Sequence, residues 1–124
     1  MTAHVVFTTI DADAPASTSV RLTKEVIRGA IGFDGLLMSD DLGMWALTGS
    51  IADRAKAVLA AGSDLALLCS GDAAETESVA AVVPRLQGSA EARFARACAV
   101  FRQQTAFDVA EAEARLGEVL RGLG

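Results

Sequence analysis

The sequence predicts an α/β fold with a parallel sheet, because short apolar segments alternate with segments of helical periodicity. Residues 3–8, 36–38 and 64–69 are short apolar runs, as strands covered on both faces tend to be. Between them, residues 19–31 and 50–62 carry apolar side chains at helical spacing. A strand–helix–strand–helix–strand order is typical of parallel sheets. Right-handed crossovers then place all three strand ends on one face.

Helix ends can be read from capping residues. Gly32 is expected to end the first helix as a C-cap glycine, and Asp53 lies in the first turn of the second. A third helix is predicted over residues 73–83, where Pro84 limits it. Residues that can cap the helix starts precede four of the helical segments: Ser19, Ser50, Ser89 and Asp108.

Composition excludes several classes of partner. The formal net charge of −5 argues against a nucleic acid or an anionic membrane, both of which favour clustered Lys and Arg. Cys69 and Cys98 lack metal-ligand spacing and are interpreted as free thiols of a reducing compartment. No apolar run approaches the length of a membrane span, and we expect a cytoplasmic protein. Asp11 and Asp13 lack the rest of a calcium loop, so neither a metal site nor a cofactor is predicted.

Two adjacent acids, Asp40 and Asp41, follow the apolar run 36–38. Acids just beyond the carboxyl end of such a strand lie where parallel α/β folds carry out their chemistry. The alternative is that both acids cap the N-terminus of a following helical segment. Spacing alone favours that second interpretation.

The stretch from Gly32 to Met44 reads Gly-Phe-Asp-Gly, an apolar strand, Ser-Asp-Asp-Leu and a Met two places on. It resembles the nucleophile segment of the family 3 glycoside hydrolases, in particular the bacterial β-N-acetylhexosaminidase branch. Residues 1–7 are similar to the preceding strand of that family, and the resemblance extends to about residue 86. Gly43 and Trp45 depart from the usual pattern, where a serine and a polar residue are common.

The resemblance implies a (β/α)8 TIM barrel, which needs about 250 residues and at least roughly 200. A chain of 124 residues would then be the C-terminal part of such an enzyme. We expect residues 1–88 to supply the last three parallel strands of the barrel with their helices, and residues 89–124 to form a C-terminal helical segment packing on it. Met1 would lie inside a strand, as in a truncated gene or a miscalled start.

The resemblance also implies roles for individual residues. Asp40 would be the nucleophile, since the acid directly after the serine is the one the family keeps. Asp41 would orient the loop or hydrogen-bond near the pocket. His4 is either structural or part of the sugar pocket, and Met44 is a further candidate for lining it. Trp45 is either an aromatic platform for sugar or a residue that packs the loop against the barrel.

The family's proton donor, a histidine paired with an aspartate on a mobile loop, would lie upstream of this segment. We therefore expect retaining hydrolysis of terminal N-acetylglucosamine from saccharides or muropeptides, in peptidoglycan recycling, with this polypeptide inactive alone. Three strands of a barrel leave two unpaired edges, so the chain is expected to need the missing N-terminal barrel portion or to self-associate.

Two alternatives remain. The first is a non-catalytic barrel remnant that binds sugar or another subunit. The second is a receiver-like phosphoacceptor domain, since paired acids at strand ends also suit Mg²⁺ and aspartyl phosphate. The second is ranked lower because such a domain needs a lysine after a late strand, whereas Lys24 and Lys56 both lie on predicted helices.

Overall fold

A computed structural model describes residues 1–101 and 108–122 of the chain. It confirms the α/β class, with two strands and several helices in the described part. In chain order these are a π-helix Leu22–Ala30, β1 Met38–Asp41, α1 Ile51–Ala61, β2 Leu65–Leu67, α2 Ala73–Ala80, α3 Gly88–Phe101 and α4 Val109–Arg121. None of the described helices is long and apolar enough to cross a membrane.

The sheet is parallel, as predicted, and β1 lies at its centre. Strand β2 pairs with one side of β1. On the other side, an isolated parallel bridge joins Thr2 to Ser39. The Thr2 N–H donates to the Met38 carbonyl at 2.9 Å, and the Asp40 N–H donates to the Thr2 carbonyl at 3.0 Å. Three backbone segments therefore run side by side in one direction, with the acids on the middle one.

The predicted strand over residues 3–8 is wrong, since only the bridge at Thr2 pairs with β1. Beyond it the chain enters a turn, in which the N–H groups of Ile10 and Asp11 donate to the Phe7 carbonyl at 2.8 and 2.9 Å. Val5 and Phe7 are 50% and 47% exposed. An apolar run becomes a buried strand only where other layers cover both faces, and the described residues do not cover this one.

The predicted strand over residues 36–38 is also displaced, since β1 begins at Met38 and includes both acids. The reason lies in Asp64, whose carboxylate accepts the Leu37 N–H at 2.8 Å. The Leu37 carbonyl accepts from Leu65 N–H at 3.1 Å and from Asp64 N–H at 2.8 Å. The chain is thus tied to the start of β2 before regular pairing begins. The third predicted strand, 64–69, is likewise shorter, at Leu65–Leu67.

Capping predictions agree with the structure at three helices. The hydroxyl of Ser19 accepts the Leu22 N–H at 3.0 Å, and Ser50 accepts the Asp53 N–H at 3.2 Å. Asp108 accepts the Glu111 N–H at 3.1 Å. The fourth prediction is wrong, because α3 begins at Gly88 and Ser89 lies inside its first turn.

The first helix differs in type from the prediction. It is a π-helix, and the Ile31 N–H donates to the Val26 carbonyl five residues back at 2.8 Å. Apolar spacing in the sequence does not distinguish this wider turn from an α-helix. Gly32 follows with a φ of 69°, the left-handed conformation expected of a C-cap glycine.

The core lies between α1, β2 and α2. Its buried members are Leu42, Leu47, Ala55 and Val58. Six partly buried apolar side chains surround them: Ile51, Leu59, Ala66, Leu68, Val79 and Val83. Since Leu42 and Leu47 come directly after β1, this packing fixes the loop that leaves the two acids.

Ion pairs join the amino-terminal side of the strands to helix α3. The side chain of Asp64 is only 5% exposed and contacts Arg28 at 2.8 Å and Arg93 at 3.0 Å. Asp34 contacts Arg93 at 3.1 Å and Arg96 at 2.9 Å. These contacts attach α3 to the segment before β1. Helix α4 leaves its apolar residues largely exposed, so packing of the whole 89–124 segment stays a prediction.

Candidate active site at the carboxyl end of strand β1

A β-bulge lies where the candidate nucleophile stands. Met38 is opposite Leu65 and Asp41 is opposite Leu67, so β1 advances three residues while β2 advances two. The extra residue falls within Ser39–Asp40. A bulge bends the strand and re-aims the side chains at that position, and bulges are over-represented beside active sites. The sequence gives no sign of it, because hydrophobic periodicity over so short a strand does not reveal an inserted residue.

Asp40 is partly exposed and held at three atoms. Its N–H donates to the Thr2 carbonyl at 3.0 Å, and its carbonyl accepts the Ser39 hydroxyl at 2.8 Å. Its carboxylate oxygen Oδ1 accepts the Asp41 N–H at 2.9 Å. The second oxygen, Oδ2, makes no hydrogen bond to the described part of the chain. The carboxylate is therefore anchored through one oxygen and free to react through the other.

Asp41 is bound by more backbone groups than Asp40, all of them on one oxygen. Its Oδ1 accepts the Gly43 N–H at 3.1 Å and the Cys69 N–H at 2.9 Å. These N–H groups, Gly43 first, hold the pKa of the Asp41 carboxyl below its ordinary value. One side chain thus ties the end of β1 to the following loop and to the residues after β2. Its geometry is that of an orienting carboxylate.

The structure contradicts the alternative in which both acids cap a helix. The next helix, α1, begins ten residues after Asp41 and has its own cap, Ser50. Asp40 accepts only from the N–H of its neighbour, and Asp41 accepts within a turn and from the β2 side.

His4 lies at this strand end in a structural setting. Its Nε2 is 2.9 Å from the Asp41 carbonyl, and its Nδ1 is 2.6 Å from the Ser17 hydroxyl. A carbonyl only accepts, so Nε2 carries a proton and donates. In the neutral ring, Nδ1 then accepts from Ser17, which is fully buried. Ser17 was not predicted from the sequence, since its role depends on a contact thirteen residues away.

Met44 and Trp45 lie in the loop after β1 and face solvent. Met44 is 42% exposed and Trp45 is 100% exposed. No described residue covers Trp45, so packing of this loop against a barrel, one of the two sequence interpretations, stays a prediction. The Met44 carbonyl accepts from the Arg54 guanidinium at 3.2 Å, and the Leu42 carbonyl accepts from the same side chain at 2.8 Å. Arg54, on α1, thus shapes the loop through its backbone.

Within residues 1–101 and 108–122, no group of three or more His, Cys, Asp or Glu side chains could hold a metal ion. The site instead consists of one carboxylate with a free oxygen, a second carboxylate bound to backbone N–H groups, and a histidine that braces the strand end. Such an arrangement suits a carboxylate that attacks an electrophilic carbon.

Comparison with known proteins identifies the family. The model described as the glycosyl hydrolase family 3 N terminal domain matches residues 1–102. A beta-hexosaminidase of Pseudomonas aeruginosa (strain LESB58) is 40% identical over 98 residues, which is 77% of this chain and 29% of that protein. One from Alkalilimnicola ehrlichii is 43% identical over 88 residues, covering 69% of this chain and 24% of the relative.

The chain thus spans less than a third of the length of these relatives. The match also corrects one sequence prediction. We expected the C-terminal part of a family 3 enzyme, whereas the matching region is the family's N-terminal domain. On the extent of that match, which covers most of the chain, this protein belongs to glycosyl hydrolase family 3.

Proposed function

We propose that this chain carries the nucleophile strand of a retaining β-N-acetylhexosaminidase, with Asp40 as the nucleophile. The observation that carries the proposal is the carboxylate of Asp40, anchored at Oδ1 by the Asp41 N–H at 2.9 Å while Oδ2 is free. An anchored carboxylate holds one orientation, so it loses little further rotational freedom when its free oxygen attacks the anomeric carbon. The relatives named as beta-hexosaminidases support the reaction class.

In the proposed reaction, Oδ2 of Asp40 forms a bond to the anomeric carbon as the bond to the leaving oxygen breaks. The leaving oxygen takes a proton from a general acid. Water then adds to the anomeric carbon of the glycosyl ester, gives its proton to the conjugate base of the general acid and releases the Asp40 carboxylate, with retention of configuration. The substrate class is a saccharide or muropeptide with a terminal N-acetylglucosamine, and the setting is peptidoglycan recycling in the cytoplasm.

The proton donor is expected to come from another segment. Asp41 accepts two backbone N–H groups, and His4 is engaged by the Asp41 carbonyl and the Ser17 hydroxyl. Asp41 and His4, the two ionisable residues near Asp40, are therefore already engaged in hydrogen bonds within this chain. We infer that the polypeptide alone has no meaningful hydrolase activity.

We also propose that residues 1–88 supply parallel strands of a (β/α)8 barrel. The parallel order, with β1 between the Thr2 segment and β2, supports this arrangement. Each flanking segment would offer its free edge to a further strand. The acids of β1 would then point towards a pocket shared with strands outside the described residues.

A fluorinated substrate tests the nucleophile without needing the proton donor. In a ring-fluorinated β-N-acetylglucosaminyl fluoride, fluoride leaves without protonation, and the ring fluorine slows hydrolysis of the glycosyl ester. The full chain, co-expressed with the remaining part of the Pseudomonas aeruginosa relative, is incubated with the probe. We expect a mass increase of one glycosyl group, which peptide mapping assigns to Asp40.

Asp40→Asn is the decisive variant, since it keeps the shape and removes the nucleophilic oxygen. We expect no labelling of this variant, and retained labelling of Asp13→Asn, an exposed loop acid that serves as the matched control. Label on another residue would contradict the assignment of Asp40. If the complex binds N-acetylglucosamine but takes no label, the chain is instead a non-catalytic barrel remnant.

A further inference from the structure

The Ser39 hydroxyl occupies the point at which the bulge interrupts the sheet. In the register that pairs Asp41 with Leu67, the ladder joins the Leu67 N–H to the Asp40 carbonyl. The Ser39 hydroxyl bridges these two groups, accepting the Leu67 N–H at 3.1 Å and donating to the Asp40 carbonyl at 2.8 Å. Ser39 is fully buried, so water does not compete for either contact.

The bridge bears directly on Asp40. The peptide groups on either side of this residue are held by the Thr2 carbonyl, through the Asp40 N–H, and by the Ser39 hydroxyl, through the Asp40 carbonyl. A peptide fixed at both ends sets the direction of the bond from Cα to Cβ. The carboxylate direction therefore depends on a hydroxyl that never contacts substrate.

We propose that Ser39 is a positioning residue that aims the Asp40 carboxylate. This inference rests on the proposed function, in which Asp40 is the nucleophile. Alanine at this position removes the bridge and lets the Asp40 peptide rotate within the bulge. Threonine keeps a hydroxyl on a β-branched side chain, which extended backbone accepts.

Kinetics of labelling separate positioning from folding. The complex used above is labelled at increasing probe concentrations, which gives a saturating rate constant and a half-saturating concentration. Misplacement of a reacting group by about 1 Å costs on the order of 100-fold. For Ser39→Ala we expect the saturating rate to fall roughly 10- to 100-fold with an unchanged half-saturating concentration, and for Ser39→Thr we expect recovery of most of the rate.

Ser63→Ala is the matched control. Ser63 is also buried, at 7% exposed, and its hydroxyl has no hydrogen-bond partner among the described residues. The same chemical change there is expected to leave the labelling rate unaltered. Equal rates for wild type and Ser39→Ala, or equal losses in Ser39→Ala and Ser63→Ala, would overturn the positioning role.

A second readout does not need labelling. Three-bond NMR couplings across φ and ψ of Asp40, measured on the full chain in the same complex, report whether its backbone, and with it the Cα–Cβ bond, holds one orientation. We expect one backbone conformation in wild type, Ser39→Thr and Ser63→Ala, and averaged couplings in Ser39→Ala. An unlabelled wild type with these couplings would reject the proposed function and retain the role of Ser39. A single backbone conformation at Asp40 in Ser39→Ala, equal to that of wild type, would reject that role.

Discussion

Asp40 and Asp41 are the same amino acid at adjacent positions, and their surroundings give them different capacities. Asp41 receives two backbone N–H groups on one oxygen, which stabilise its charged form and leave little freedom for chemistry. Asp40 receives a single N–H, that of Asp41, on its bound oxygen. The chemical difference between neighbouring carboxylates therefore comes from the backbone that faces them.

Replacement of Asp41 by Asn should make the free energy of unfolding depend less on pH in the acid range. The pKa of its carboxyl is lowered in the folded state, chiefly by the Gly43 N–H, so its contribution is fully present above the ordinary value of 3.8. That contribution is lost as pH falls through the lowered folded pKa. We expect wild type to exceed Asp41→Asn in free energy of unfolding at pH 7, with the gap narrowing in acid. Urea unfolding of both proteins at a series of pH values measures this difference in free energy. A gap that widens on acidification would contradict this account.

At the residue scale, the sequence predicts those site residues whose signal is local. Asp40 and Asp41 stand out as acids after an apolar run, and His4 as a lone histidine at the start of the chain. Ser17 and Ser39 were missed because each acts through a contact with a distant segment. The only hint in the sequence is that Ser39 directly precedes the candidate nucleophile Asp40.

At the scale of elements, helix α3 is held by arginines of unequal burial. The Arg93 side chain is 18% exposed and contacts Asp64, which is 5% exposed. The Arg96 side chain is 56% exposed and contacts Asp34, which is 72% exposed. Burial removes solvent screening and makes the loss of one partner costly, whereas exposed pairs contribute little.

Arg93→Ala and Arg96→Ala form a matched pair, because both replace arginine by alanine on one helix. We expect Arg93→Ala to reduce the free energy of unfolding by about 2 to 3 kcal/mol, since Arg28 still contacts Asp64 and part of the loss for a buried pair is spared. Arg96→Ala should cost less than about 1 kcal/mol. Chemical denaturation of both variants makes the comparison. Equal losses would show that α3 is held by something other than Asp64.

The elements that the sequence predicted well are those with local signals. Ser50, Ser19 and Asp108 cap helices because each side chain accepts the N–H three residues on, and that spacing is contained in the motif. The strand over residues 3–8 failed because a buried strand requires neighbours on both faces. The bulge in β1 could not be predicted either, since it depends on which residue of β2 lies opposite.

At the scale of the molecule, the described chain exposes surface that a sheet normally covers. The Thr2 segment and β2 flank β1 and each has one side without a strand among residues 1–101 and 108–122. Val5 and Phe7, 50% and 47% exposed, continue from one of these edges. Open strand edges beside apolar side chains are sites of association.

We therefore expect the isolated chain to self-associate as its concentration rises, despite a net charge of −5. Light scattering coupled to size exclusion over a concentration series measures the mass. Co-expression with the remaining part of the Pseudomonas aeruginosa relative should suppress the larger species by covering the edges. A monomer of constant mass at every concentration would contradict the exposed-edge argument.

Trp45 gives the protein an intrinsic optical probe. It is the only tryptophan of the chain and its side chain is fully exposed, close along the chain to Asp40 and Asp41. The emission of an indole moves to shorter wavelength when water around it is replaced by a ring or an apolar surface. Fluorescence of the unlabelled protein can thus report the approach of a sugar or of a completing segment to this end of the sheet.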